Sequence, residues 1–218
     1  EYGAEILWIN GPHLDVIESL VLDMSRGKYP AELDLRYQNG RSKLRELASE
    51  ADVFIQGYRP GSIASKGFSP EDLSKIRPGI ICVELSAFSH LGPWASRRGF
   101  DTVVQTVSGI TDRQGNLFPA AESGPQFYPV SAIDYLTGYL MAFGGLVALA
   151  RRAQEGGSWL VRISLAQTGR WLVNQGQVPE SDLKGIPAEF LDSEIKEWST
   201  SSDTPVGRLG HLSPVLGL

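Results

Sequence analysis

Asp134 is the residue in this chain whose position most favours a chemical role. It stands at the start of a helix-like run, residues 135–150, that carries no charge and ends before Arg151. A carboxylate at the start of a buried helix is stabilised by the positive end of the helix dipole and by free backbone N–H groups. Such a carboxylate serves either as a helix cap or as a reactive group, and the residues alone leave both roles open.

Two other segments place fixed positive charges next to predicted turns. Arg97 and Arg98 stand side by side shortly before Asp101, and Arg59 is followed directly by Pro60. The guanidinium group matches the geometry of a phosphate, so the Arg97-Arg98 pair is a candidate phosphate site, while Arg59 offers a fixed charge. From the residues alone, solvated surface arginines are equally well supported.

Other kinds of site lack their signatures. No Gly-x-Gly-x-x-Gly follows a predicted strand and no Walker A sequence occurs, so an ordinary dinucleotide-binding domain is not supported. Serine hydrolase chemistry is not supported either, because no Gly-x-Ser-x-Gly is present. The three histidines, His13, His90 and His211, lie far apart without ligand spacing, so we expect no metal.

The bulk composition is that of a soluble globular protein. The 218 residues carry a net charge of -5 and are 42% hydrophobic, and this mild acidity argues against a nucleic-acid partner.

Cys82, the single cysteine, lies in an apolar run, which favours a buried thiol in a reducing, cytoplasmic environment. No secretory signal is visible. The uncharged run after Asp134 is shorter than the roughly 20 residues of a bilayer span and contains glycines, so we expect a core helix and no membrane.

Apolar runs alternate with helical patterns along the chain. The pattern predicts strands at 6–9, 31–35, 52–56, 79–86 and 159–163, and helices at 40–51, from 69, at 100–108, at 134–154 and at 165–174. It predicts loops at 111–129 and at 199–203. Alternation of this kind predicts an α/β fold, a Rossmann-like and mostly parallel sheet flanked by helices, with an extended C-terminal segment. We expect the first domain at 1–178 and the tail at 179–218.

Seven short motifs follow one another in a definite order as far as about Leu172. They are Gly3-Ala4-Glu5-Ile6; Arg26-Gly27-Lys28 with Leu33-Asp34-Leu35; Ala51-Asp52-Val53 with Arg59-Pro60-Gly61; Lys66-Gly67-Phe68; Gly99-Phe100-Asp101 with Ser108-Gly109; Ile133-Asp134 with Gly138; and Ala148-Leu149 leading to Leu165. This order resembles the class III CoA-transferases, which include formyl-CoA transferase, carnitine CoA-transferase and α-methylacyl-CoA racemase. The tail at 204–214 resembles the C-terminal return segment of the same family.

The resemblance implies transfer of CoA between an acyl-CoA thioester and a small carboxylic acid, with coenzyme A as part of the substrate. Asp134 falls on the family's catalytic aspartate, which attacks the thioester and forms a mixed anhydride, and Asp101 falls on an acidic position near the reactive centre. The residues expected to bind CoA are Arg98, Arg97, Arg59 and Lys66. Family members form interlocked homodimers, so a homodimer is expected.

Departures from the family pattern keep other hypotheses open. Ser65 replaces a basic residue, although Lys66 follows it, and Gly156-Gly157 stands where the family has Thr-Gly-Lys-Gly. The resemblance also places a strand and helix before Glu1 and a small second domain outside these residues. These departures favour an inactive half of a longer protein that serves as a structural or dimerisation scaffold. Racemisation is disfavoured, because Phe100 stands where racemases carry a histidine.

Overall fold

The structure, a computed structural model, describes residues 3–117, 124–183, 185–187 and 189–213. Residues 118–123 of the predicted loop and the tail from residue 214 lie outside the described residues. The chain divides into a larger unit, Leu33–Gln177, and a smaller one that combines Glu1–Glu32 with Val178–Leu218. The predicted domains at 1–178 and 179–218 stay a prediction, because compact units do not by themselves show which segments fold independently.

The described elements alternate between strands and helices as far as the strand Ile81–Ser86, after which several helices follow one another, and a short 3-10 turn lies at Ala64–Lys66. In chain order they are β1 (Leu7–Asn10), α1 (Glu18–Met24), β2 (Tyr29–Glu32), α2 (Gln38–Glu50), β3 (Val53–Gln56), α3 (Pro70–Ile76), β4 (Ile81–Ser86), α4 (Asp101–Val107), α5 (Ile110–Leu117), α6 (Ala132–Glu155), β5 (Trp159–Ser164), α7 (Leu165–Asn174), α8 (Glu180–Leu183), α9 (Asp192–Trp198), β6 (Ser199–Thr204) and β7 (Gly207–Leu212).

A three-stranded parallel sheet in the order β3-β4-β5 forms the centre of the larger unit. The central strand is buried on both faces, since Ile81, Cys82 and Val83 are all buried although successive side chains point in opposite directions. In the smaller unit β1 pairs with β2 in parallel, and β6 pairs with β7 antiparallel. These parallel sheets with flanking helices confirm the predicted α/β class.

Helix α6 runs antiparallel to the strands of the larger unit. Ala148, near its end, lies in one buried cluster with Ile81 at the start of β4. Ile133, in its first turn, lies in another cluster with Ala87 and Leu165, the residues that follow β4 and β5. The first turn of α6 therefore reaches the edge where the parallel strands end, which is where α/β sheets hold ligands.

Only one face of α6 is buried, so the expectation of a core helix is right for that face alone. Its buried residues include Thr137 and Ala148, whereas Tyr139 is 73% exposed and Phe143 is 66% exposed. The helix has 24 residues and extends slightly beyond the predicted helix at 134–154 at both ends, where charged residues stand. Among the described residues it is the one helix long and apolar enough to cross a membrane by length and composition, a test that core helices of soluble proteins also pass.

The predicted loop at 111–129 is wrong over its first residues, because they form α5. Gly109 adopts a φ of 76° and separates this helix from α4. Gly115 then packs so closely on the backbone of Gly124 that an added Cβ would lie 2.0 Å from the carbonyl oxygen. Helix α5 contains several poor helix formers and packs at Gly115 against the backbone that follows it.

The predicted exposed loop at 199–203 is also wrong, because these residues form β6. Its residues are nearly all serine or threonine and all but Thr204 are exposed, so they lack the apolar alternation that marks a half-buried strand. Cross-strand bonds hold the hairpin instead: Arg208 donates to the Ser201 hydroxyl at 2.8 Å, and the Ser202 hydroxyl lies 2.9 Å from His211 Nε2.

Candidate active site

The start of α6 is capped by a residue from another helix. Ser131, at the N-cap position, makes no side-chain cap. Instead, Oδ2 of Asp101 accepts the backbone N–H of Ile133 at 2.9 Å and that of Asp134 at 3.1 Å. Asp101 is only 2% exposed. The cap role that the sequence left open for Asp134 is therefore filled by Asp101, acting from the start of α4.

The side chain of Asp134 is left without such partners. It is exposed at the surface, and no residue in the described ranges donates a hydrogen bond to its carboxylate. Partial desolvation by the surrounding side chains, together with the charge of Asp101, raises the pKa of Asp134 to about 6. The expected stabilisation of this carboxylate by the helix start is wrong, because those N–H groups serve Asp101. A carboxylate of raised basicity that is open to solvent is suited to nucleophilic attack.

Gln105 completes the hydrogen bonding around Asp101. It lies one turn further along α4, is fully buried, and its Nε2 donates a short hydrogen bond to Asp101 Oδ1. Its Oε1 accepts the backbone N–H of Tyr128 at 2.9 Å. Gln105 was not predictable as a site residue, since a lone glutamine in a short helix carries no motif.

An aromatic pair positions Arg97 on the segment between β4 and α4. The Arg97 guanidinium lies 4.6 Å from the centre of the Trp94 ring, a cation–π distance. Trp94 meets Phe88 edge-on at 5.1 Å, and Phe88 packs against the buried cluster that contains Ile133. Arg97 is thereby tied to the side of the sheet where α6 begins. Arg98, next to it, is exposed, and no described residue forms an ion pair with it.

Arg59 and Lys66 lie on the connection between β3 and α3. This connection leaves the same edge of the parallel sheet as the segment after β4. Neither side chain is joined to Asp101 or Asp134 by a hydrogen bond or ion pair among the described residues. The structure thus brings Asp101 and Asp134 together, while the roles of the four basic residues in CoA binding stay predictions.

The chain matches a family model and several named proteins. The family model described as CoA-transferase family III matches residues 1–188. Acetyl-coenzyme A transferase nodX of Hypoxylon pulicicidum is 31% identical over 177 residues, which are 79% of this chain and 30% of that protein. Acetyl-CoA:oxalate CoA-transferase of Acetobacter aceti is 32% identical over 193 residues, 88% of this chain and 44% of that protein. The chain thus spans less than half the length of these relatives.

Solved structures match in the same way. The crystal structure of Rv3272 from Mycobacterium tuberculosis has a TM-score of 0.69 and 29% identity, and the match covers 79% of this chain and 49% of that one. A CAIB/BAIF family protein from Brucella suis has a TM-score of 0.71 and 25% identity, covering 94% of this chain and 58% of that one. The predicted resemblance is confirmed, and this chain belongs to CoA-transferase family III.

Proposed function

We propose that the protein moves CoA between an acyl-CoA thioester and a carboxylic acid, with Asp134 as the nucleophile. The observation that carries the proposal is the open carboxylate of Asp134, which accepts no hydrogen bond from a described residue and stands beside the cap formed by Asp101. Family membership supports the reaction type.

The proposed chemistry begins when a carboxylate oxygen of Asp134 attacks the thioester carbonyl carbon. The C–S bond breaks, the electron pair leaves on the CoA sulfur, and an acyl-aspartyl anhydride forms. The incoming carboxylate then attacks the aspartyl carbonyl carbon and releases the first acid. Finally, the CoA thiolate attacks the acyl carbon of the new anhydride, which yields the new thioester and restores Asp134.

Arg97 and Arg98 are our candidates for the phosphates of CoA, because guanidinium groups pair with phosphate in two-point geometry. Arg97 is held by Trp94, so its charge stands in a fixed place. We propose Arg59 and Lys66 for the nucleotide end on the neighbouring connection. Calorimetry with CoA should show weaker binding for Arg98→Ala than for Arg170→Ala, an exposed arginine on α7.

The acceptor is proposed to be a small carboxylic acid. Relatives are named for oxalate, glutarate and D-citramalate, with acetyl-CoA or succinyl-CoA as the donor. A panel of these acids and donors, tested with wild type and Asp134→Asn, examines both the activity and the nucleophile. Transfer by wild type and none by Asp134→Asn supports the proposal, while equal transfer by both contradicts it. The alternative of an inactive scaffold predicts that neither protein transfers or binds CoA.

We also propose a homodimer, supported by the exposed face of α6. Five large apolar side chains follow helical spacing along that face: Tyr135, Tyr139, Phe143, Leu146 and Val147. Contiguous apolar surface of this kind marks protein contacts in soluble proteins. Sedimentation velocity should show a dimer for the wild type and a monomer for Phe143→Glu; a monomeric wild type would contradict the dimer.

A reducing, cytoplasmic location remains our proposal on the strength of Cys82. This thiol is free and buried, and its burial raises its pKa to about 11, so it is uncharged and unreactive at neutral pH. Fractionation of cells that produce the protein would test the location.

A further inference from the structure

We propose that Gln105 is a positioning residue for Asp134, and that it works with Asp101 as a clamp on the segment that leads into α6. The proposal rests on the proposed function of Asp134 as the nucleophile. It adds a residue that touches neither substrate nor reacting atom and acts through the backbone.

The two side chains of the clamp hold this segment by hydrogen bonds at two points. Gln105 and Asp101 are four residues apart on α4, so their side chains share one helix face, and both are buried. Gln105 holds the backbone N–H of Tyr128, and Asp101 holds those of Ile133 and Asp134. The hydrogen bond from Gln105 Nε2 to Asp101 Oδ1 links the two side chains of the clamp. The backbone from 128 to 134 is thereby fixed relative to α4.

The segment between Tyr128 and Ile133 has an unfavourable backbone conformation. Val130 has a φ of 60°, in the left-handed region that β-branched residues rarely adopt. Its side chain is 76% exposed, so packing does not hold it there. Ser131 adds no side-chain cap at the start of the helix. Tyr128 and Ile133 pack in the buried cluster on either side of this turn, and the hydrogen bonds that Gln105 and Asp101 accept from the backbone hold its two ends, as strained backbone requires.

The amide of Gln105 satisfies both of its neighbours without a charge. Tyr128 presents a backbone N–H, which needs an acceptor, and Asp101 presents a carboxylate oxygen, which needs a donor. Glutamine supplies both, whereas methionine has the same length and supplies neither. Glutamate keeps the acceptor, but it can donate to Asp101 only when it is protonated.

The experiment compares Gln105→Met, Gln105→Glu and a matched control, Thr168→Val. Thr168 is equally buried and loses hydrogen bonds to Thr137 and to the Ser164 carbonyl, but it does not touch the clamp. Steady-state transfer kinetics across pH are measured beside hydrogen–deuterium exchange of the peptide that covers residues 128–134. Thermal unfolding reports how much stability each variant loses.

We expect Gln105→Met to lower kcat at least about tenfold with little change in KM for the acyl-CoA, since misplacing a reacting group costs rate more than binding. Deuterium uptake at 128–134 should accelerate in this variant and stay near the wild-type rate in Thr168→Val. Gln105→Glu should approach wild-type activity most closely at the acid end of its pH range, where its carboxyl can donate to Asp101.

Two results would overturn the proposal. One is wild-type kcat and wild-type uptake at 128–134 in Gln105→Met. The other is an equal loss of kcat in Thr168→Val at an equal loss of thermal stability, which would show a role in stability alone. Full transfer by Asp134→Asn would instead refute the proposed nucleophile, and the exchange measurement would still report whether the clamp exists.

Discussion

The carboxylate of Asp101 accepts the backbone N–H of Asp134 at 3.1 Å, while its charge opposes ionisation of the Asp134 side chain. The N–H groups at the start of α6 thus stabilise the Asp101 carboxylate, while the Asp134 carboxylate accepts no hydrogen bond from a described residue. The two residues occupy opposite roles, a buried cap and an open acid, although both are aspartates at the start of a helix.

The rate of CoA transfer should fall as the pH drops through about 6. The attacking form of Asp134 is the anion, and desolvation together with the Asp101 charge raises the pKa of its carboxyl to about 6. Below that pH the rate should fall roughly tenfold for each pH unit, as for a single essential group. The pH dependence of kcat/KM measures this acid limb. A rate that stays constant down to about pH 4, the region of an ordinary aspartate, would rule out the raised pKa.

Asp101→Asn should destabilise the protein and move the acid limb of activity to lower pH. The variant loses a charged acceptor for two N–H groups, which we expect to cost about 1–2 kcal/mol of unfolding free energy. It also removes the charge that opposes ionisation of Asp134, so the pKa of Asp134 should fall. Urea unfolding and the pH–rate profile measure the two effects. Asp112→Asn, at an exposed acid on α5, is the control, and an acid limb displaced to higher pH would contradict the account.

Asp134→Asn should be inactive and yet slightly more stable than the wild type near neutral pH. The folded carboxyl binds its proton more tightly than the unfolded one, whose pKa is 3.8, so ionisation penalises the folded state above about pH 6. Asparagine removes that penalty, which solvent screening at this exposed site keeps below about 1 kcal/mol.

The advantage of Asp134→Asn should shrink as the pH falls below about 6 and vanish below the unfolded value of 3.8, where the wild-type carboxyl is protonated in both states. Thermal unfolding at several pH values checks the sign. A variant that is less stable than the wild type at neutral pH would show that the Asp134 anion is stabilised by the fold.

Two glycines of α6 should respond in opposite directions to alanine. A Cβ on Gly144 would lie 2.7 Å from Cγ1 of Val161 on β5, so Gly144→Ala should force the helix from the sheet and cost about 1–3 kcal/mol. A Cβ on Gly138 would have nothing within 4 Å, so Gly138→Ala should stabilise the helix by about 0.5–1 kcal/mol. Denaturant titration of both variants tests how α6 packs, and equal effects would contradict this packing.

The larger unit was predictable where local chemistry and the apolar pattern agree. Ser69 caps α3 through the N–H of Asp72, as the sequence Ser-Pro-Glu-Asp indicated, and the predicted helix at 165–174 is present as α7. The hairpin of β6 and β7 was not predictable, because its exposed serines and threonines carry no apolar alternation. Helix α5 was missed for a related reason: the close contact between Gly115 and Gly124 that helps to fix it cannot be read from local propensity.

Asp101 and Asp134 were named from the sequence, but neither Gln105 nor the hydrogen bond between the two aspartates was predictable. Asp134 stood out because it begins an uncharged helix, and Asp101 was reached only through the family resemblance. The bond between them joins residues 33 positions apart, and no local pattern reports such a pairing. The sequence predicted that the N–H groups at the start of α6 would stabilise the Asp134 carboxylate. Asp101 accepts those N–H groups instead, so Asp134 does not gain this stabilisation.

The most direct test of the central claim follows a heavy-oxygen label from the acceptor acid into the protein. In the proposed sequence the acceptor carboxylate joins the aspartyl carbonyl carbon, and the thiolate then removes the acyl group, so one labelled oxygen stays on Asp134. Mass spectrometry of the peptide that contains Asp134 should show this gain after turnover with labelled acid and unlabelled acyl-CoA. Turnover that leaves the peptide without label would contradict a covalent role for Asp134.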